Sequence, residues 1–301
     1  MRRLMAISIS TVLLTASASA QFGGLGKLKD KMDEARNKTA PYTDKAKQFS
    51  DVNKPWTPEQ EEQIGEATAA KLIQAFGLYD NKPMQNYLEL VGSTVAAQGA
   101  RQDVTYHFAI LDTESMNAMA LPGGFVFVTR GALANMTNEA QLAGVLAHEV
   151  AHVDGRHLEN EVKKQGNMGL FAKTAQEEGA KHMTQDQMTQ TIVSKIGDQA
   201  AQFLATRPYS SGDEGAADKK GLELASKAGY NSAGLRDFLQ KLAAASADPA
   251  NAQALGAWSQ THPPYNVRVD NLTKLMASYP ANGQTVDTRF QKNINAKAFG
   301  Q

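Results

Sequence analysis

Apolar residues recur along most of this chain at the three- and four-residue spacing of amphipathic helices, interrupted by two short runs with strand character. Thr57-Pro58-Glu59-Gln60 reads as an N-cap, a first-turn proline and a capping-box glutamine, which predicts a helix to about Phe76. A second helix is expected from about Pro83 to Ala97. Val104 to Leu111 alternates as a half-buried strand does, and Phe125 to Thr129 is β-branched and aromatic throughout. Beyond them the pattern is helical again: a segment around Ala140 to Val153, then Thr184 to Ala205, Glu214 to about Lys227, Ser232 to Ala245 and about Tyr265 to Ala277. The sum is an α+β architecture, a small sheet packed on a largely helical body, with no internal repeat. The connection from Glu161 to Gln187 carries Gly166, Gly169, Gly179 and the methionines Met168 and Met183, with Met188 just beyond it. Ordinary helical packing is the favoured reading there, with a substrate-contacting lid as the alternative.

The segment from Ala140 to Val153 has a peculiarity. Its only polar side chains are Gln141, His148, Glu149 and His152, so the helix is apolar nearly all round and should be buried. Polar groups inside a buried helix are costly unless something pairs them. His148 and His152 are four residues apart and share a face, with Glu149 beside them, so one divalent metal ion and its water would satisfy all three. A third ligand is then required. Gly155 fits a continuing His-x-x-Gly-x-x-His pattern, but its last position is Leu158, and His157 comes one residue early. On an unbroken helix His157 would point about 180° away from His148, so it reads as a helix-end residue or a partner of a ligand. Downstream, Glu214 and Asp218 also lie four apart on one helical face. One carboxylate can bind a metal while the other orients a ligand imidazole. First-turn acids also simply favour a helix dipole, and spacing alone leaves both readings open.

The flanking segments add specificity. Asn117-Ala-Met-Ala-Leu-Pro-Gly-Gly124, Phe125-Val-Phe-Val-Thr-Arg-Gly131, Asn138 to His152, Glu214-x-x-x-Asp218 and Thr261-His-Pro263 occur in this order. Together they resemble the HtpX/BepA-type zinc metallopeptidases, a gluzincin family that also includes prenyl-protein endopeptidases and mitochondrial Oma-type proteases. The resemblance covers roughly Thr57 to Leu272 and implies a mostly helical, zincin-like domain whose sheet edge lines the active-site cleft. It implies one Zn²⁺ per chain held by His148, His152 and Glu214, with Glu149 as catalytic base and Asp218 behind the ligands. His262, with Arg268 six residues later, matches a family pattern near the active site; both become candidate electrophiles, and His262 alternatively a resting ligand in the open metal position. Asn117, Ala118, Met119 and Ala120 become the edge on which an extended peptide substrate would lie. Two departures stand out: the family often has Ser-Arg before the ligand glutamate and a second acid two residues after it, where this chain has Ser210-Ser211 and Ala216.

The ends of the chain bear on location. Met1-Arg2-Arg3, the apolar stretch Leu4 to Leu14 and Ala18-Ser19-Ala20 make a secretory signal peptide, residues 1–20, with cleavage expected after Ala20. The two arginines lack the Ser or Thr that would precede a twin-arginine signal, which favours the general secretory route. No other run approaches the roughly 20 apolar residues of a membrane crossing, so the mature chain is expected to lack one and to work in the periplasm. Residues 21–56 form a polar leader, mobile or wrapped on the surface; residues 57–280 are the catalytic domain and 281–301 a tail. The chain has no cysteine, which excludes disulfides and lipid attachment through a cysteine. With 31 Lys and Arg against 31 Asp and Glu, nothing suggests a nucleic-acid footprint.

Two functional classes follow. One is an endopeptidase of the bacterial envelope acting on misfolded or unassembled proteins, with protein substrates and outer-membrane assembly proteins as partners. The other is a chaperone-like or self-inhibited peptide-binding protein with weak hydrolysis. Retention of Glu149 favours the enzyme, because a binder needs no base.

Overall fold

Thr57 starts the first helix as its sequence requires: its side chain accepts from Gln60 N–H, and the Gln60 side chain accepts from Thr57 N–H. The computed structural model describes residues 54–164, 184–246, 262, 264–279 and 283–294. The signal peptide, the leader up to residue 53 and residues 165–183 of the proposed lid lie outside the described residues. Helix α1 (Pro58–Phe76) is followed by α2 (Lys82–Ala96), which the Asn81 side chain caps by accepting from Met84 N–H. Strand β1 (His107–Leu111) begins three residues later than its alternation suggested. Strands β2 (Ala118–Leu121) and β3 (Phe125–Thr129) are joined by a tight 3₁₀ turn at Pro122–Gly124. Gly123 and Gly124 have φ of 73° and 85°, which is why two glycines stand there.

The sheet is mixed, in the order β1-β3-β2, with β1 parallel and β2 antiparallel to β3. Alternate side chains feed two cores. Phe108, Ile110, Ala118, Ala120, Val126 and Val128 join α2 and the metal-helix side, whereas Ala109, Leu111, Met119, Leu121, Phe125 and Phe127 join α1 and its neighbours. Burial on both faces explains why β3 reads as an unbroken apolar run.

A short helix α3 (Arg130–Ala134) leads to α4 (Glu139–Asp154), the helix carrying His148, Glu149 and His152. After it come α5 (His157–Lys164), α6 (Gln185–Thr206), α7 (Ser211–Lys227), α8 (Gly234–Ala245) and α9 (Tyr265–Met276). Helix α7 packs tightly along α4. At Gly221 an added Cβ would come within 2.9 Å of the His148 Cα and N atoms. This contact sets how close the Glu214 helix lies to the two histidines.

Both margins of the expected catalytic domain are tied to its body. The end of the leader is docked: Trp56 is 1% exposed, and its N–H donates to Glu159 Oε1 at 2.6 Å. The expected tail contains a further helix, α10 (Asp287–Asn293), built into the body. Asn231 N–H donates to the Gln284 carbonyl at 3.0 Å, Ala140 N–H to the Thr285 carbonyl at 3.2 Å, and Phe290 is buried. Arg289 Nε reaches the fully buried Glu139 at 2.6 Å, beside the hydroxyls of Tyr87 and Tyr230 at 2.5 and 2.8 Å. Burial would raise the Glu139 pKa, but these donors together hold it below the usual value. The seven-residue α10 is too short and too polar to read as a helix from the sequence; buried Phe290 and the long-range Arg289–Glu139 pair tie it to the body.

Gly221 and Gly215 give a paired test on one helix. Gly221→Ala drives a methyl into the α4 backbone and is expected to cost about 1–3 kcal/mol. Gly215 has nothing within 4 Å of its added Cβ, so Gly215→Ala is expected to stabilise by roughly 0.5–1 kcal/mol. Urea unfolding measures both, and equal effects of one sign would mean that Gly221 does not set the helix separation.

Candidate metal centre

Helix α4 presents its three functional side chains into the interior. His148, Glu149 and His152 are 0%, 1% and 2% exposed. Their backbone is made regular by Asn138, whose side chain accepts from Gln141 N–H at the start of the helix. The two ligand candidates point their Nε2 atoms at a common place, 3.0 Å apart. Helix α7, capped by Ser210, brings Glu214 from its first turn. Glu214 Oε1 lies 3.5 Å from His152 Nε2, and Oε2 lies 3.6 Å from His148 Nε2. His262 adds its Nε2 at 3.8 Å from Glu214 Oε1. One donor atom each from His148, His152, Glu214 and His262 therefore falls within 4.8 Å of the others.

These separations fit a cation. Bonds of about 2.0–2.1 Å in a tetrahedral site put neighbouring ligand atoms roughly 3.3 Å apart. Both carboxylate oxygens of Glu214 are buried with no hydrogen-bond donor, as is Glu149 Oε1. Orphaned acceptors of this kind are costly in a protein interior, and a divalent cation with its water accounts for all of them.

Asp218 stands behind the ligands, one turn along α7. Its Oδ1 is 3.1 Å from His148 Nδ1, so the carboxylate holds the ring nitrogen opposite the one facing Glu214. Arg268, expected as an electrophile, is 2% exposed and grips the same carboxylate, Nη2 to Oδ1 at 2.6 Å and Nε to Oδ2 at 3.1 Å. Its Nη1 also lies 3.4 Å from Glu214 Oε2. In this arrangement Arg268 fastens α9 to the two acids of α7.

The charges interlock. Burial would raise the Glu214 pKa, but His262, Arg268 and His148 outweigh it and hold it at about 2. Asp218 is held at about 2 against the same burial, mainly by Arg268 and His148. For His148, burial and Arg268 favour the neutral ring, yet the facing carboxylates of Asp218 and Glu214 lift it to about 9. For His152, burial, reinforced by His148, His157, His262 and Arg268 around it, drives the pKa well below the usual value. Burial likewise lowers His262 to about 4 and raises Glu149 to about 7.

Of the proposed peptide-binding positions, Asn117 precedes β2 and pairs with β3 through Thr129. Ala118, Met119 and Ala120 lie on β2, which is an edge strand. Alternation along the ladder turns the N–H groups of Ala118 and Ala120 away from β3. Both are engaged: Ala118 N–H donates to Asn117 Oδ1 at 2.9 Å, and the Ala120 backbone hydrogen-bonds Glu149. The edge strand thus lies directly against Glu149. Thr261 and Pro263 lie outside the described residues.

Tyr209 was not singled out from the sequence. Its ring stacks on His152, centroids 4.3 Å apart and planes 25° apart, and it is 6% exposed. The available signal was a lone aromatic in the polar stretch leading into the Glu214 helix.

With this geometry in hand, comparison with known proteins is decisive about family. Residues 83–276 match the family described as Peptidase family M48, and the chain belongs to that family. It is 25% identical over 185 residues to the Beta-barrel assembly-enhancing protease of Yersinia pestis, covering 62% of this chain and 38% of that protein. The protein of the same name from Escherichia coli (strain K12) is 25% identical over 194 residues, covering 61% and 37%. Metalloendopeptidase OMA1, mitochondrial, of Bos taurus is 30% identical over 177 residues, covering 58% and 33%. The matched part therefore spans less than two-fifths of each of these relatives.

The ligand arrangement makes distinct claims about two acids. Glu214→Ala is expected to lose the metal outright, whereas Asp218→Asn should weaken it by roughly 10–100-fold, the usual effect of removing a ligand's partner. Metal content after dialysis and chelator competition measure both. A stoichiometric metal in the Glu214 variant would require another third ligand.

Proposed function

We propose that this chain is a zinc-dependent endopeptidase of the bacterial periplasm that hydrolyses peptide bonds in misfolded or unassembled proteins. The observation that carries the reading is the convergence of His148, His152 and Glu214 beside a buried carboxylate, Glu149, with an unpartnered oxygen. Two imidazoles and one carboxylate are the donor set of catalytic zinc sites, whose fourth position stays open. When bound, zinc supplies polarisation of the scissile carbonyl and a lowered pKa for the attacking water.

The protein's own groups do the rest. Glu149 takes the proton of the attacking water and returns it to the leaving amine. Burial, which lifts its pKa to about 7, suits a group that must both accept and release a proton near neutral pH. Its hydrogen bond with the Ala120 backbone holds it against β2, so a peptide lying beside that strand would have its backbone near the base. Backbone pairing of this kind tolerates many sequences and suits quality control. Asp218 and Arg268 hold the ligand cluster in register.

The location rests on the signal-like start of the sequence, read as cleaved after Ala20. No helix among the described residues is long and apolar enough to cross a membrane. The names of the bacterial relatives, which speak of β-barrel assembly, support β-barrel assembly proteins as partners or substrates.

Glu149→Gln is the direct test. The variant is expected to retain its zinc while casein hydrolysis falls at least roughly 10²–10⁴-fold, and a chelator should abolish the wild-type activity. Unchanged proteolysis by the zinc-loaded variant would overturn the reading.

A self-inhibited form of the same enzyme is favoured by His262, whose Nε2 joins the other three donors and completes a closed set of four. His262→Ala is then expected to raise casein hydrolysis with zinc retained. If His262 instead stabilises the developing oxyanion, the same change lowers kcat by roughly 10²–10³-fold.

A further inference from the structure

His157 is buried, 7% exposed, and belongs to neither the ligand set nor the proton path described above. The chain goes to some length to place it. Helix α4 stops at Asp154, and Arg156 takes a left-handed φ of 52°, unusual for a non-glycine residue. That turn breaks the helical phase and folds the first residue of α5 back over the end of α4. Arg156 is held in it by the Trp56 carbonyl at 3.0 Å, by Glu159 at 3.0 Å and by Glu61. Gly155 makes the room. An added Cβ there would fall 2.3 Å from His157 Nε2 and 2.7 Å from its Cδ2, so the imidazole lies directly over the glycine. The outcome is a contact of 2.8 Å between His157 Nδ1 and His152 Nδ1, with the rings 82° apart.

We propose that His157 is a positioning residue that orients the metal ligand His152 by accepting a hydrogen bond from its Nδ1–H. The inference rests on the metal-centre reading. His152 turns Nε2 toward His148 and Glu214, so a neutral ring coordinating through Nε2 carries its proton on Nδ1. His157 must then accept at Nδ1 and carry its own proton on Nε2. That nitrogen faces Asp213 Oδ1 at 3.9 Å, and Asp213 is itself fixed by the Ser210 hydroxyl at 2.6 Å. Tyr209 closes the ring's face, leaving His152 one orientation. The two ligands are thus supported unequally, His148 by the carboxylate of Asp218 and His152 by a neutral imidazole.

The test uses the full chain with Co²⁺ as probe, reading affinity by chelator competition and coordination by the visible absorption bands. His157→Phe keeps a ring but no acceptor, and His157→Asn keeps an acceptor. Gly155→Ala keeps the histidine but pushes its ring aside; because Gly155 has an ordinary φ of −81°, alanine costs no backbone strain there. His157→Phe and Gly155→Ala are each expected to weaken Co²⁺ binding by roughly 10–100-fold and to shift the bands, with partial recovery in His157→Asn. If wild type binds one Co²⁺ and both disruptive variants match its affinity and spectrum, the positioning role is overturned. If wild type binds no Co²⁺, the metal-centre reading falls and takes this inference with it.

Discussion

Burying two imidazoles and three carboxylates among aliphatic side chains is the constraint on which this structure depends. Such groups are tolerated only when each finds a partner of opposite charge or a hydrogen bond. Here the partners come from far along the chain: Glu214 and Asp218 from α7, and Arg268 from α9. Gly221 permits the approach by removing the one side chain that would hold α7 off the backbone at His148. The packing of these helices and the assembly of the centre are therefore one event.

The metal helix is also pinned at both ends by buried ions. At its start Glu139 gathers Tyr87, Tyr230 and Arg289, tying α2, the α7–α8 connection and α10 to one carboxylate. At its end Glu61 takes both nitrogens of the Arg101 fork at 3.0 and 3.1 Å and also meets Arg156, while Glu159 meets Arg156, Lys163 and the Trp56 N–H. Bidentate pairing of this kind fixes geometry as well as charge. A metal centre needs that rigidity, because its ligands must be held within a few tenths of an ångström of bonding positions.

The sheet has a narrower task. Its three strands are short and buried on both faces, so they act as a wall between the two cores, with β2 exposing one backbone edge toward Glu149.

Much of the architecture was legible in the sequence because local rules decide it. The capping box at Thr57, the apolar face of α2, the β-branched run of β3 and the nearly all-apolar α4 each announce an element without reference to the rest of the chain. The pairing of His148 and His152 was equally local, since a four-residue spacing puts both on one face whatever surrounds them. Other features were not local. Spacing left Glu214 open between ligand and helix-dipole residue, and only the packing of α7 on α4 puts both its oxygens against the histidines. Arg268 had no periodic signature to show that it grips Asp218. Helix α10 is too short and polar to be seen in the sequence, and its ties to the body, buried Phe290 and Arg289 on a buried acid 150 residues away, are long-range. The angular argument that sent His157 to the far side assumed an unbroken helix, and a single left-handed residue at Arg156 cancels it. Sequence by itself determined which segments fold regularly and which residues are candidates for the chemistry, because propensity and period act over a few residues; tertiary structure decided which of them meet, because burial of charge is settled only when distant partners are packed together.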